Sequence, residues 1–285
     1  MHVIDTKKLI AISREIRKDV LVSLAEAGSG HLGGSLGLAD VFTALYFSIL
    51  NHDPQKPEWP ERDRMILSIG HVAPVFYSTL ANAGYFPREE LMTLRKLGSR
   101  LQGHPGREHG LPGIELSAGS LGQGLSVAVG LALSAKMDKA NWNVYPVLGD
   151  GELQEGSNWE AIMSASHHQL DNIIATVDRN YVQIDGRNSE VMELEPLKDK
   201  FESFGWSVLR CNGNDIHELI QNYEAAKSIP NTPKVILAET KMGKGIKPIE
   251  DDYTWHGKSP AKDQLQDFLN ELEEYYIKLE NKKKA

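Results

Sequence analysis

The 285-residue chain has one cysteine, Cys211. A lone thiol makes neither an internal disulfide nor a cysteine-based zinc cage, so a disulfide framework is excluded. No stretch approaches the ~18 consecutive apolar residues of a membrane span. The segment from Met1 to Ile12 carries Asp5, Lys7 and Lys8 where a signal peptide needs an unbroken apolar run. Positive charge is in deficit, with 31 Lys and Arg against 39 Asp and Glu, a formal net charge of −8. Nonspecific nucleic-acid binding needs a cationic surface, which this balance does not offer. The strict P-loop pattern is missing, as are the His-Glu-x-x-His and Cys/His spacings of zinc sites. Together these absences predict a cytoplasmic chain with no nucleic-acid partner and no membrane anchor.

What is present reads as an ordinary globular composition, 41% hydrophobic and 25% charged. Leu9, Ile12, Ile16, Val20 and Leu24 recur at helical spacing over 6–27 and stop at Gly28, where a C-cap is expected. A second apolar helix is expected over 38–50, a buried strand over 64–69, a helix opened by Pro87 over 87–97, and a long helix over 121–137. The chain then alternates between strands at 144–148, 173–177, 206–210 and 234–239 and helices at 155–168, 196–204 and 214–227. That alternation predicts an α/β fold with a mostly parallel sheet and helices on both faces. Pro146 lies within a strand without an N–H to give, so a bulge or one unpaired position is expected there. Residues 241–258 read as a glycine- and charge-rich loop. Residues 259–285 read as a C-terminal helix and tail, with Leu265, Phe268, Leu269, Leu272 and Tyr276 on one side and Lys282–Lys284 solvated. No repeat or linker divides the sequence, so 1–285 is read as one domain.

Four constellations bear on chemistry. Gly28-Ser-Gly30-His-Leu-Gly33 satisfies G-x-G-x-x-G, with Asp53 twenty residues past the last glycine, as in a dinucleotide fingerprint. That mechanism needs a strand before the glycines, and here a helical pattern precedes them. An NAD-dependent dehydrogenase is therefore the weaker alternative. Gly149-Asp150-Gly151-Glu152 follows the 144–148 strand, and Asp178-Arg-Asn180-Tyr-Val182 ends the next one, thirty residues after Asp150. Neighbouring parallel strands would bring Asp150 and Asn180 to one sheet edge, where open α/β sheets bind ligands. A carboxylate, an amide oxygen and a carbonyl such as that of Val182 would make a hard-cation site able to hold Mg²⁺ against phosphate; a plain β-α turn is the bland alternative. Five of the ten histidines, His31, His71, His104, His109 and His256, stand beside a glycine. Several such loops suggest a histidine-lined pocket suited to proton transfer and hydroxyl binding. Finally, Ser117-Ala-Gly-Ser-Leu-Gly-Gln-Gly124 precedes a long helix, either as a tight helix entry or for close approach of main chain to a cofactor. Lys244, between Gly243 and Gly245, is ambiguous.

Taken together these motifs resemble the N-terminal, diphosphate-binding part of a transketolase. The resemblance runs in order through Gly30-His31-Leu-Gly-Gly-Ser, Ser68-Ile-Gly-His71, Gly103-His104-Pro, Gly119-Ser-Leu-Gly-Gln-Gly, Gly149-Asp150-Gly151 with Asn180, and Trp255-His256-Gly. It implies a thiamine diphosphate fold in which Asp150, Asn180 and the Val182 carbonyl hold Mg²⁺, with Ca²⁺ or Mn²⁺ able to substitute. It implies cofactor contacts from His71, Gly119, Ser120, Leu121, Gly151, Glu152, Asn180 and His256. It also implies that His31, His71, His104 and His256 face a sugar phosphate, binding hydroxyls and relaying protons. Glu155 and Glu160 match carboxylates near the family's interface between cofactor sites. Arg179 departs from the usual acidic residue or Asn before the motif Asn. The implied reaction is two-carbon ketol transfer from a ketose phosphate to an aldose phosphate. In this family a glutamate from a separate pyrimidine-binding domain activates the cofactor, and nothing after residue 258 reads as that domain. The resemblance thus implies one subunit of a split transketolase, joined to a C-terminal subunit in a heterotetramer. The α chain of a 2-oxo acid dehydrogenase shares the Gly-Asp-Gly logic and is the nearest alternative; a catalytically dead scaffold is opposed by the retained Asp150, Asn180 and pocket histidines.

Overall fold

The computed structural model describes residues 5–282. The chain opens with helix α1, Thr6–Ala27, capped by the Asp5 side chain and closed by Gly28 in the left-handed conformation. Helices α2, Leu32–Gly37, and α3, Ala39–Ala44, follow and run into a π-helical turn at Leu45–Ile49. The apolar helix expected over 38–50 is thus an interrupted run that begins earlier, in glycine-rich sequence whose propensity hides it. The glycines at 28–33 follow a helix and not a strand, so the dinucleotide-fingerprint geometry is absent from this segment.

Strand β1, Arg64–Leu67, leads to helix α4, Ala73–Ala83. The helix expected over 87–97 is instead a 3-10 turn at Arg88–Thr93. Its buried Leu91 and Leu94 stand three apart, the 3-10 repeat, and Arg95 at φ 59° stops any continuation. Next come α5, Gly124–Asp138; β2, Val144–Gly149; α6, Gly156–His167; and β3, Ile174–Arg179. A small hairpin that the sequence reading did not foresee, β4 at Val182–Gln183 and β5 at Gly186–Arg187, leads into α7, Asn188–Val191. The chain continues through α8, Leu197–Ser203; β6, Ser207–Asn212; α9, Ile216–Lys227; β7, Lys234–Glu239; and α10, Leu265–Lys282. Lys283 and Lys284 of the expected solvated tail lie outside the described residues.

Five strands form one parallel sheet in the order β1-β2-β3-β7-β6. Strand side chains alternate between two cores. Tyr145, Val147, Ile174 and Ile236 join the core under α1, α3, α4, α9 and α10, whereas Val144, Leu148, Val177 and Leu237 join the core under α5, α6 and α8. Helices on both faces leave the carboxyl edge of the sheet open, and that edge positions the site. Pro146 keeps its register with Ile66 of β1 but interrupts the other side of β2, which meets β3 at Val144↔Ile173 and again from Val147↔Thr176, the same offset on either side of the proline. The outcome is a gap in the β2–β3 ladder without a bulge.

One buried network fastens α1 to α10, the first and last of the described helices. Arg17 of α1 is wholly buried and donates to Asp40 at 2.7 and 3.0 Å, to Ser13 at 2.6 Å and to the Tyr276 hydroxyl of α10 at 2.6 Å. Phe268, Leu272 and Tyr276 form the buried face of α10, with Leu265 and Leu269 packed beside them. Among the described residues no helix is long and apolar enough to cross a membrane.

Candidate active site

β2 and β3 are paired to their ends, Gly149 opposite Asp178, so Asp150 and Asn180 emerge side by side at the carboxyl edge of the sheet. Asp150 is almost fully buried. Its Oδ1 accepts the Gly151 N–H at 2.7 Å, and its Oδ2 accepts the Tyr181 N–H at 2.7 Å and Arg179 Nη1 at 3.0 Å. The other arm of Arg179 reaches Glu195 at 2.8 Å, and its guanidinium lies 4.0 Å above the Tyr181 ring. The unusual arginine is therefore a buried counter-charge to the expected metal ligand. Tyr181 sits at φ 66°, a left-handed conformation that costs a non-glycine residue about 1–2 kcal/mol. That turn lets Asn180 Oδ1 accept the Val182 N–H at 3.0 Å while its amide donates to Asp178 at 2.8 Å. Burial pushes the Asp178 carboxyl up to about 7, with the Asp150 charge adding and hydrogen bonds from Thr240 and Asn180 opposing.

These groups and the histidine loops line one cavity of about 450 Å³. His31, His71, His104 and His256 all face it, their rings 5.0 Å apart for His31–His71, 5.7 Å for His31–His256, 5.1 Å for His71–His256 and 6.4 Å for His31–His104. Burial, reinforced by the neighbouring histidines, holds His31 down to about 4 and His71 to about 3. His104 and His256 are also lowered, chiefly by burial. All four rings are then neutral near pH 7, each with one N–H to donate and one nitrogen to accept. His31 Nδ1 is buried without a hydrogen-bond partner among the described residues. His109 does not join the cluster: it stands on the 3-10 turn Arg107–His109, its ring beside Glu108.

Gly119, Leu121, Gly151, Glu152, Glu155 and Val182 line the same cavity, whereas Ser120 is exposed in its loop and is not on the wall. Gly122, at φ 82°, is needed as glycine, because a Cβ there would come within 2.6 Å of the Ser157 hydroxyl and 2.7 Å of Glu155. Glu152 faces inward but its carboxylate is committed, accepting the Ser68 hydroxyl, the Gly122 N–H at 2.8 Å and the Gly149 N–H at 3.1 Å. It acts as a brace between three loops. Glu160 is exposed on α6, and Lys244 lies over the Tyr275 ring at 5.1 Å, outside the cavity wall.

In the sequence Asp178 and Tyr181 have a place in the motif but no role, and Thr240 and Glu195 are not singled out. The alternation Asp178-Arg-Asn180 was the available sign, since residues two apart at a strand end point the same way. Among the described residues no cluster of three or more His, Cys, Asp or Glu is arranged to bind a metal. Asp150, Asn180 and Val182 line the cavity together with the carboxylates of Asp178, Glu152 and Glu155.

Residues 6–273 match the family described as transketolase, thiamine diphosphate binding domain. The chain is 41% identical over 268 residues to one of the subunits of the apulose-4-phosphate transketolase of Phocaeicola vulgatus, covering 94% of this chain and 95% of that one. It is 43% identical over 258 residues to a 6-deoxy-6-sulfo-D-fructose transketolase subunit of a Clostridium species, covering 90% and 94%. Human transketolase is 36% identical over 287 residues, which is 99% of this chain but 45% of the human one. Among solved structures, the transketolase of Campylobacter jejuni superposes with a TM-score of 0.84 at 34% identity, over 93% of this chain and 42% of that one.

Proposed function

The chain belongs to the transketolase thiamine diphosphate binding domain family, and on that premise we propose that it is the diphosphate-binding subunit of a split transketolase. Its reading as a single domain belongs to the same proposal. With a separate subunit carrying the pyrimidine-binding domain, as a heterotetramer, it moves a two-carbon ketol unit from an anionic ketose to an aldose. The relatives that it spans almost end to end are themselves named as subunits, and their named sugars carry a phosphate in one case and a sulfo group in the other. The observation that carries the reading is the convergence of Asp150, Asn180, Val182 and four neutral histidines on one cavity.

The residues fit the cofactor and its cation. Oxygen donors meet at a sheet edge, two glycines flank Asp150, and the N-terminus of the 12-residue α6 opens beside them. The unsatisfied His31 Nδ1 calls for a polar guest. Asp150, Asn180 and the Val182 carbonyl would hold Mg²⁺, while Gly151, the Gly119–Leu121 loop, His71 and His256 would contact thiamine diphosphate. When bound, that cofactor supplies a nucleophilic carbon and an electron sink for breaking and making the C–C bond. The protein's share is position and proton transfer. Neutral His31, His71, His104 and His256 bind sugar hydroxyls as donor or acceptor and carry protons between them. Glu152 keeps the glycine loops at their spacing, and Arg179 balances Asp150.

The test is native purification of the chain with whatever polypeptide accompanies it, identification of that polypeptide, and assay of the complex for ketol transfer. Transfer that requires thiamine diphosphate and Mg²⁺ is expected. Full-rate turnover of a ketose phosphate by this chain alone would refute the split, and a cofactor-replete complex inert toward phosphorylated and sulfo ketoses alike would refute the reaction.

A further inference from the structure

Four cations stand in the segment 88–104, and three are paired. Arg88 meets Asp19 and Glu15, Lys96 meets Glu26, and Arg100 meets Glu90. Arg95 is exposed and has no acidic partner among the described residues. It is nevertheless held in place. Its backbone takes the left-handed conformation at φ 59°, and its N–H donates to the Leu101 carbonyl at 2.8 Å. A bulky side chain rarely adopts that geometry, and such strain gathers at functional positions. Its side chain extends across the two glycines that precede pocket histidines. A Cβ on Gly103 would come within 2.9 Å of the guanidinium carbon, and one on Gly30 within 3.9 Å of Arg95 Cδ. The free guanidinium therefore hangs between the His31 and His104 loops. His104 is the exposed member of the four and so marks the mouth of the cavity. The positive charge of Arg95 is also felt by both rings, adding to burial in lowering their proton affinity.

We infer that Arg95 is this chain's own receptor for the anionic end of the sugar, a tetrahedral oxyanion such as phosphate or sulfonate. The inference rests on the ketol-transfer reading and adds a receptor on this chain to whatever the partner subunit supplies. Inside the cavity the histidines take the hydroxyls near the reacting carbons. An elongated sugar bound that way directs its far end to the mouth, where an unpaired guanidinium offers a forked set of donors. Because Arg95 stands outside the cavity wall, it is a specificity-determining and positioning group for the far end of the substrate.

The complex with its partner is assayed as wild type, Arg95→Gln and Arg95→Lys, with D-glyceraldehyde 3-phosphate and with D-glyceraldehyde as acceptors. Arg95→Gln should raise KM for the phosphorylated acceptor by about tenfold, with kcat and the KM for glyceraldehyde within about twofold and partial recovery in Arg95→Lys. An equal shift for both acceptors, or none for either, overturns the inference. A second readout stands apart from turnover. Inorganic phosphate is titrated into the full chain while the ring resonances of His31 and His104 are followed by NMR. Phosphate-dependent shifts that vanish in Arg95→Gln support the inference, and shifts that persist unchanged, or are absent from wild type, overturn it. If wild type transfers no ketol unit to either aldehyde, the ketol-transfer reading fails on that count, and the phosphate titration alone decides Arg95.

Discussion

Replacing Glu152 by glutamine isolates the brace from the contacts it supports. The carboxylate accepts three hydrogen bonds, from Ser68 at the exit of β1, from Gly122 in the loop before α5, and from Gly149 at the end of β2. Glutamine has the same shape but one acceptor oxygen, so its NH₂ must face a backbone N–H. Each bond to a charged acceptor contributes about 1.5–3 kcal/mol, and an orphaned buried donor costs about 1–3 kcal/mol. Part of that loss is returned because a neutral amide is cheaper to bury, the effect that raises the Glu152 pKa in the folded chain. A net loss of about 2 kcal/mol is expected, enough to weaken cofactor binding by more than tenfold if it falls on the Gly119–Leu121 loop. Urea unfolding followed by the fluorescence of the five tryptophans reads the stability, and titration with thiamine diphosphate and Mg²⁺ reads the affinity. Wild-type values in both would refute the brace. Weakened affinity at unchanged stability would instead mark Glu152 as a direct cofactor contact.

Two further outcomes test other parts of the structure. Asp40→Asn strips Arg17 of its buried counter-charge, for which about 3–5 kcal/mol of lost stability is expected; a change in unfolding free energy below about 1 kcal/mol would contradict the network's geometry. Acid should loosen the histidine pocket. His31 and His71 are held at about 4 and about 3 in the folded chain against about 6.5 when unfolded. Between those values the unfolded chain takes up protons that the folded one refuses, so their contribution is full above about pH 6.5 and is lost as pH falls through about 4 and about 3. Urea midpoints measured across that window should decline, and less steeply in His31→Asn/His71→Asn; an identical slope in that variant would refute the assignment.

The parts legible in the sequence are those whose signal is local or periodic. The alternation of apolar strands and amphipathic helices fixed the parallel sheet, and with it the meeting of Asp150 and Asn180, because paired neighbours must share an edge. The misread helix at 87–97 shows the limit of local signals. Pro87 and acidic residues imitate a helix start, but Leu91 and Leu94 are drawn inward at three-residue spacing and Arg100 fastens Glu90, so the turn winds tighter and stops. The histidines show the other limit. Adjacent glycines marked five candidates, yet which four converge depends on loops brought together by the whole sheet, and nothing near His109 distinguishes it. The roles of Glu152 and Arg179 were hidden for the same reason, since their partners lie up to 84 and 29 residues away.

The network around Arg17 bears on the order in which the molecule forms. Its guanidinium is 259 residues from the Tyr276 hydroxyl that completes it. During synthesis α1 and Asp40 emerge early, and the buried charge must wait in a half-built socket until α10 has been made. Contacts of such long range pay loop-closure entropy before they are rewarded, and therefore close late. The docking of α10 is then the step that seals α1, so removing α10 should leave α1 exposed to proteases and chaperones.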